Sequence, residues 1–373
     1  MCVIFKFKNH FLFFTIVISL IFINGLSLLS NLNNVSFTNA QDCGLCESWA
    51  LDIENNFLYS AARIGFDIFE INSDGSLSYI NSYESIDYWG TKGLAVNNDI
   101  LAVETRNLNS TLFNVSGPSN IIFLSNVSFG YNYLIHNNFL YVCSGYDGLN
   151  IYNISMPKQP VLLNYTRLEK GGIDKAFIEG EFIYLICKGF IFEPYTQPYN
   201  AFAIFDISTP SNPKLVILED VFFNQPLYDI YVKNGNIFLT TEGGFYHCFL
   251  IDDILILDML RYCMPYSQIV FKDDFLFIGT DPIYVYDIKD PSDPIYLNSF
   301  RGLSHTWDMA VYEEKLYFAN GEDGIGIIEI KISYTSSVSI SILIGFDLSL
   351  ICAGFAFAIV CIILLKSKSK KKC

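Results

Sequence analysis

The sequence predicts an all-β protein: a seven-bladed β-propeller of four-stranded antiparallel blades, followed by one C-terminal transmembrane helix. Three observations carry this. A phrase of about forty residues recurs seven times between Trp49 and Tyr334. Its equivalent positions are Leu58, Leu101, Leu140, Ile183, Ile237, Leu276 and Leu316, spaced by 43, 39, 43, 54, 39 and 40 residues, and so regular a period marks a repeat architecture. Within each repeat, short runs rich in β-branched and aromatic residues alternate with turn residues, the pattern of strands packed on both faces. Near the end, Leu348 to Leu365 forms eighteen residues without a charge, about the length that crosses a hydrocarbon core.

Repeat three shows how a blade is built. Strands are predicted at Tyr133 to Ile135, Phe139 to Ser144, Leu149 to Ile154 and Val161 to Tyr165. Asn137-Asn138 and Asp147-Gly148 supply the left-handed conformations that tight hairpins need, and Gly321 to Gly324 does the same in repeat seven. Seven such units closing radially leave few exposed edges. Repeat seven stops after its third strand, Gly326 to Ile332. Its outer strand is expected from the segment before Trp49, fastening the ring.

The third turn reads Asp206-Ile207-Ser208-Thr209-Pro210-Ser211-Asn212-Pro213 in repeat four, with parallels at Asp287 to Pro294 and Asn153 to Pro160. The leading Asp or Asn can bond the backbone ahead, the first proline ends the ladder, and the second sets the chain extended. This combination resembles the LVIVD repeat, a β-propeller family of secreted and surface proteins. The resemblance covers about residues 49–334. It is sharp in repeats three, four and six and partial in repeat two. Repeats one and five depart furthest, with Asn72-Ser73-Asp74-Gly75 and Asp252-Asp253 where the prolines should stand.

The ends point to export and anchoring. Lys6 and Lys8 precede an apolar run from Phe11 to Ile23, the layout of a secretory signal, with cleavage expected after Ala40; an uncleaved anchor is the alternative. After the apolar segment come Lys366, Lys368, Lys370, Lys371 and Lys372, and positive charge flanking a span stays in the cytoplasm. The expected organisation is therefore a signal and processed segment at 1–40, an extracellular propeller at 41–334 and a juxtamembrane linker at 335–347. A span at 348–365 and a basic cytoplasmic tail at 366–373 complete it. The portion outside carries 16 basic and 38 acidic side chains, a balance of −22. Such a surface repels nucleic acid and anionic lipid heads.

Five sequons survive the expected cleavage, at Asn109, Asn114, Asn126, Asn153 and Asn164, and gather on repeats two and three as candidate glycosylation sites. Six cysteines, Cys43, Cys46, Cys143, Cys187, Cys248 and Cys263, are disulfide candidates in an oxidising compartment, with the pairing left open. Cys43 and Cys46 are read as a disulfide near the mature N-terminus, because no second CxxC or paired histidine accompanies them.

Eight residues before each equivalent position the innermost strand should begin, facing the central channel. Those residues are Ala50, Gly93, Asn132, Lys175, Asp229, Gln268 and Asp308. The polar five, Asn132, Lys175, Asp229, Gln268 and Asp308, are candidate ligand-binding residues. The competing reading, placed first, is that they bond backbone N–H groups at strand entries. The long spacing in repeat four leaves an aromatic insertion, with Phe190, Phe192, Tyr195 and Tyr199 as a candidate interaction loop. It stands level with the reading that those rings fold back over their own blade. No catalytic, metal or cofactor pattern is present: His136, His247 and His305 lie in three different repeats without metal-ligand spacing, and the linear enzyme motifs are missing. The reading placed first is a single-pass surface protein that displays its propeller to an extracellular protein or glycan partner. The alternatives are a membrane-tethered hydrolase or lyase at the channel mouth, or a structural envelope component.

Overall fold

The computed structural model describes residues 47–330, apart from residue 63 and the segments 85–92, 106–108, 169–170, 189–199, 220–225, 252–253, 262–266, 280–281 and 301–305. These residues form seven sheets, six of four strands and the last of three. Each sheet is a meander in which consecutive strands pair antiparallel. Blade 3, for example, runs Asn132–His136, Phe139–Cys143, Leu149–Asn153 and Val161–Thr166. The innermost strands are Ala50–Glu54, Leu94–Asn97, Asn132–His136, Gly172–Glu179, Leu227–Lys233, Gln268–Lys272 and Asp308–Tyr312. Each contacts the next, and the last contacts the first, so the seven blades close into a ring. Blades 1 and 5, where the third turn departs from the repeat, still have four strands.

The hairpin between the first two strands of every blade turns on one position, three residues before the equivalent leucine or isoleucine. Asn55, Asn98, Asn137, Gly180, Asn234, Asp273 and Glu313 occupy it, and all seven have positive φ, from 48° to 61°. Asn, Asp and Gly tolerate that left-handed conformation; a glutamate does not do so readily. The turn between the second and third strands of blade 3 is longer than the two residues expected. Gly145 and Gly148 carry its positive φ, and Ser144 N–H closes it onto Gly148 O at 2.8 Å.

Alternation along the second strand distributes the core. In Phe182–Lys188, Ile183, Leu185 and Cys187 pack with blade 3, while Tyr184 and Ile186 pack with blade 5. In Phe57–Ala62, Leu58 faces blade 7, whereas Tyr59 and Ala61 face blade 2. Side chains of successive strand residues point to opposite faces, so each blade contributes to two apolar interfaces and has no core of its own. The third turn works as its sequence indicates: Asn114, Asn153, Asp206 and Asp287 each accept the N–H two residues ahead, at 2.8–3.0 Å. A register shift interrupts the pairing of the third and fourth strands in all six four-stranded blades. Such bulges increase strand twist.

The joint between the last blade and the first is described at one contact. Ser48 pairs with Gly321, each N–H donating to the other's carbonyl at 2.8–2.9 Å. The same bridge joins Gly145 to Ile173 between blades 3 and 4. Ser48 thus meets the turn between the second and third strands of blade 7, in the manner of the joint between blades 3 and 4. The expected outer strand for that blade, and Cys43, Cys46 and Cys263, lie outside the described residues. Three of the disulfide candidates need correction: Cys143, Cys187 and Cys248 are free thiols, fully buried. They fill apolar interfaces as small hydrophobic groups, and burial pushes the Cys187 thiol up to about 12. Among the described residues no helix is long and apolar enough to cross a membrane; segments 1–40 and 348–365 are not among them.

Glu313 is the one of the seven hairpin residues whose side chain disfavours positive φ. Replacing it by asparagine is expected to raise stability by about 1 kcal/mol, measured as a shift in the denaturant midpoint at unchanged slope.

Candidate functional site

The innermost strands bring together most of the polar residues singled out from sequence, at the end of the channel where those strands begin. Lys175 Nζ lies 2.8 Å from Asp229 Oδ1 and donates to Gln268 Oε1 at 2.7 Å, linking blades 4, 5 and 6. Asp308 is within electrostatic reach of both Lys175 and Asp229. Asn132 stands apart from them, its amide oxygen directed to blade 4.

Most of these groups are held by the next blade. Asp308 Oδ2 accepts Leu51 N–H at 2.9 Å, Asn132 Oδ1 accepts Ala176 N–H at 3.1 Å, and Asp229 Oδ2 accepts Ile269 N–H at 2.7 Å. The second oxygen of Asp308 accepts its neighbour's N–H, from Met309, and that of Asp229 accepts the N–H of Ile230. Asp52, absent from the sequence-derived set, makes the same contact one layer further along its strand: Oδ2 accepts Val96 N–H at 2.8 Å and Oδ1 accepts Ile53 N–H at 2.8 Å. Counting eight residues back finds Ala50 in that blade. Asp52 lies two residues on, at the same face, and strand periodicity is the signal that would have found it.

A second tier of contacts lies at the other end of the innermost strands. Glu54 accepts the N–H groups of Asn98 and Asp99, and Glu179 those of Asn234 and Gly235, so each carboxylate caps the positive-φ hairpin of the following blade. Lys233 Nζ donates to Asp273 O at 3.0 Å, and Asn97 Nδ2 to Ile135 O at 3.1 Å. A third tier joins outer strands to the next third turn, from Asn81 to Pro118 O, Ser125 to Pro157 O and Asn164 to Ser211 O.

Desolvation dominates the electrostatics. It raises the Asp52 carboxyl from 3.8 to about 7 and that of Asp308 to about 6, against the lowering effect of the N–H donors and, for Asp308, of Lys175. Burial alone would lower the Lys175 ammonium, but Asp229 and Asp308 outweigh it and hold it above the usual lysine value.

The aromatic loop residues Phe190, Phe192, Tyr195 and Tyr199 lie outside the described residues. Its base is described: Lys188 pairs with Asn200 across the hairpin, and Lys188 Nζ contacts Asp174 and lies 5.3 Å from the centre of the Tyr228 ring. Asn109 and Asn126 are exposed, while Asn114, Asn153 and Asn164 are half-buried. Among the described residues no group of three His, Cys, Asp or Glu side chains could hold a metal ion.

No protein family and no curated protein matches the chain. Solved structures do. The WD40 β-propeller domain of Doa1 is similar with a TM-score of 0.57 at 6% identity, over 81% of this chain and 98% of that one. The computationally designed Ika8 protein is similar with a TM-score of 0.53 at 10% identity, over 78% and 98%. At such identity the likeness is one of fold, and it defines the chain as a β-propeller protein.

Two predictions follow from the inner tier. A carboxyl with a raised folded value favours folding when protonated. The Asp52 and Asp308 contribution is therefore complete below 3.8 and is lost as pH rises through about 6 and about 7. The unfolding temperature is expected to fall between about pH 4 and about pH 7, and less so in the Asp52→Asn/Asp308→Asn variant, which keeps its acceptor oxygens. Asp229→Ala, which strands the Ile269 N–H and the Lys175 ammonium, is expected to cost about 2–4 kcal/mol in chemical denaturation, and Asp229→Asn distinctly less.

Proposed function

We propose that the chain is a single-pass cell-surface protein whose LVIVD-like propeller is held outside the membrane as a binding or scaffolding module for an extracellular protein or glycan. The observation that carries binding over catalysis is the engagement of both oxygens of Asp229 and of Asp308 by main-chain N–H groups. A general base needs a lone pair aimed at its substrate, and each oxygen of these carboxylates already accepts a main-chain N–H, one from the next blade and one from the following residue of its own strand. What remains for recognition is a rigid ring and the loops it carries. Exposure of Asn109 and Asn126 supports glycan attachment. The apolar segment from Leu348 to Leu365 and the lysines after it support anchoring with the tail in the cytoplasm.

One observation favours the tethered hydrolase or lyase instead: the Asp308 carboxyl at about 6 has a value suited to acid catalysis. Expression of the full chain in eukaryotic cells separates the readings. Surface labelling of the propeller, a gain in mobility on peptide N-glycosidase treatment, and no turnover of glycosidase, esterase or lyase substrates are expected. A chain released in the cytosol would remove the surface reading, and turnover abolished by Asp229→Asn or Asp308→Asn would make the protein an enzyme.

A further inference from the structure

We propose that Trp49 and Trp307, at the joint between the last and first blades, form a platform for a neutral saccharide. This rests on the reading of the propeller as a binding module and names its ligand class. Both residues stand immediately before an innermost strand. The six described residues at that position are Trp49, Tyr131, Asp174, Tyr228, Ser267 and Trp307, so four are aromatic. In blades 1, 3 and 7 the aromatic residue is anchored by its own N–H to the end of the second strand, at Ala61 O, Cys143 O and Ala319 O, 2.8–2.9 Å away.

The indoles of Trp49 and Trp307 have ring centres 4.9 Å apart and planes inclined at 59°. They lie on Gly321, where a Cβ would come within 3.1 Å of Trp307 Nε1 and 3.8 Å of the Trp49 ring, so the turn lets them settle against the backbone. Tyr131 lies on Gly145 in blade 3 in the same way, so an aromatic ring over this glycine is a repeated packing device. One feature sets the closing joint apart. Trp307 is 37% exposed, much as Tyr131 is at 38%, but here the ring pair encloses a donor, the Nε1–H of Trp49, that has no hydrogen-bond partner among the described residues. A buried donor left unpaired is costly, and a ligand oxygen reaching it past the Trp307 edge would relieve that cost.

The neighbouring chemistry selects the ligand. Glu322 and Asp323, exposed in the same turn as Gly321, are acceptors. A sugar ring presents C–H groups to an indole face, hydroxyl hydrogens to carboxylates and a hydroxyl oxygen to an indole N–H. An ammonium group would also suit the indoles and the carboxylates, but its nitrogen has no lone pair for the Trp49 donor. The unpartnered N–H decides for the saccharide.

Intrinsic fluorescence provides the test, since two of the chain's three tryptophans form the platform. The purified full chain is titrated with chitotetraose, cellotetraose, maltotetraose and mannotetraose, and in parallel with choline and a lysine-rich peptide. A saturable change with at least one tetrasaccharide is expected. It should weaken about tenfold or more in Trp307→Ala and in Trp49→Phe, which keeps a ring and loses the donor, with unfolding midpoints close to that of the parent. No response to any saccharide, a response to choline or peptide alone, or affinity unchanged in both variants would overturn the platform. A chain at the cell surface that crosslinks an extracellular protein but ignores the saccharides loses the platform and keeps the module reading. Cleavage of a bound saccharide would end the module reading itself.

Discussion

A side-chain oxygen on one innermost strand accepting a main-chain N–H from the next blade is the interaction on which the ring depends. The blades are separate sheets, and among the described residues main-chain hydrogen bonds cross between them at isolated bridges, Ser48 to Gly321 and Gly145 to Ile173. Apolar burial between them is strong but non-directional, and it would tolerate blades sliding along each other. Asp308 on Leu51, Asp52 on Val96, Asn132 on Ala176 and Asp229 on Ile269 each tie one strand residue to a single partner. Hydrogen bonds are directional in distance and angle, so each of these contacts fixes a register that apolar burial leaves free. Glu54 and Glu179 repeat the device at the opposite ends of their strands, so blades 1 and 2 are held at two separated points.

Gathering carboxylates around a narrow axis has an electrostatic consequence. Desolvation and mutual repulsion both act against ionisation, and Asp52 and Asp308 bear it as raised values. Lys175 offsets part of this at Asp308 and stands directly against Asp229. The same lysine reaches Asp229 and Gln268, so one side chain ties three innermost strands together.

The features legible in the sequence were those written in residue types at a fixed offset. The hairpin position reads Asn, Asn, Asn, Gly, Asn, Asp in six blades, and the third turns repeat their Asp or Asn; both appear where expected. The clasps were only half legible. Their acceptors are visible as Asn132, Asp229 and Asp308, but their donors are main-chain N–H groups that every residue carries, so no letter marks them. Asp52 escaped because one offset was applied to all repeats, although its blade uses the next residue on the same face. Cys143, Cys187 and Cys248 show the converse. An even count of cysteines suggests bridges, yet each lies in the alternating core pattern of its strand, where a thiol does the work of a small apolar group.

Ser48 and Gly321 join blade 7 to blade 1 by the bridge that joins Gly145 to Ile173 inside the chain. The ring therefore treats its own ends as it treats a continuous stretch of backbone. Mechanically, the seam between first and last blades is built like the joint between blades 3 and 4. A chain opened at another loop and fused across the present ends could meet itself by the same two hydrogen bonds.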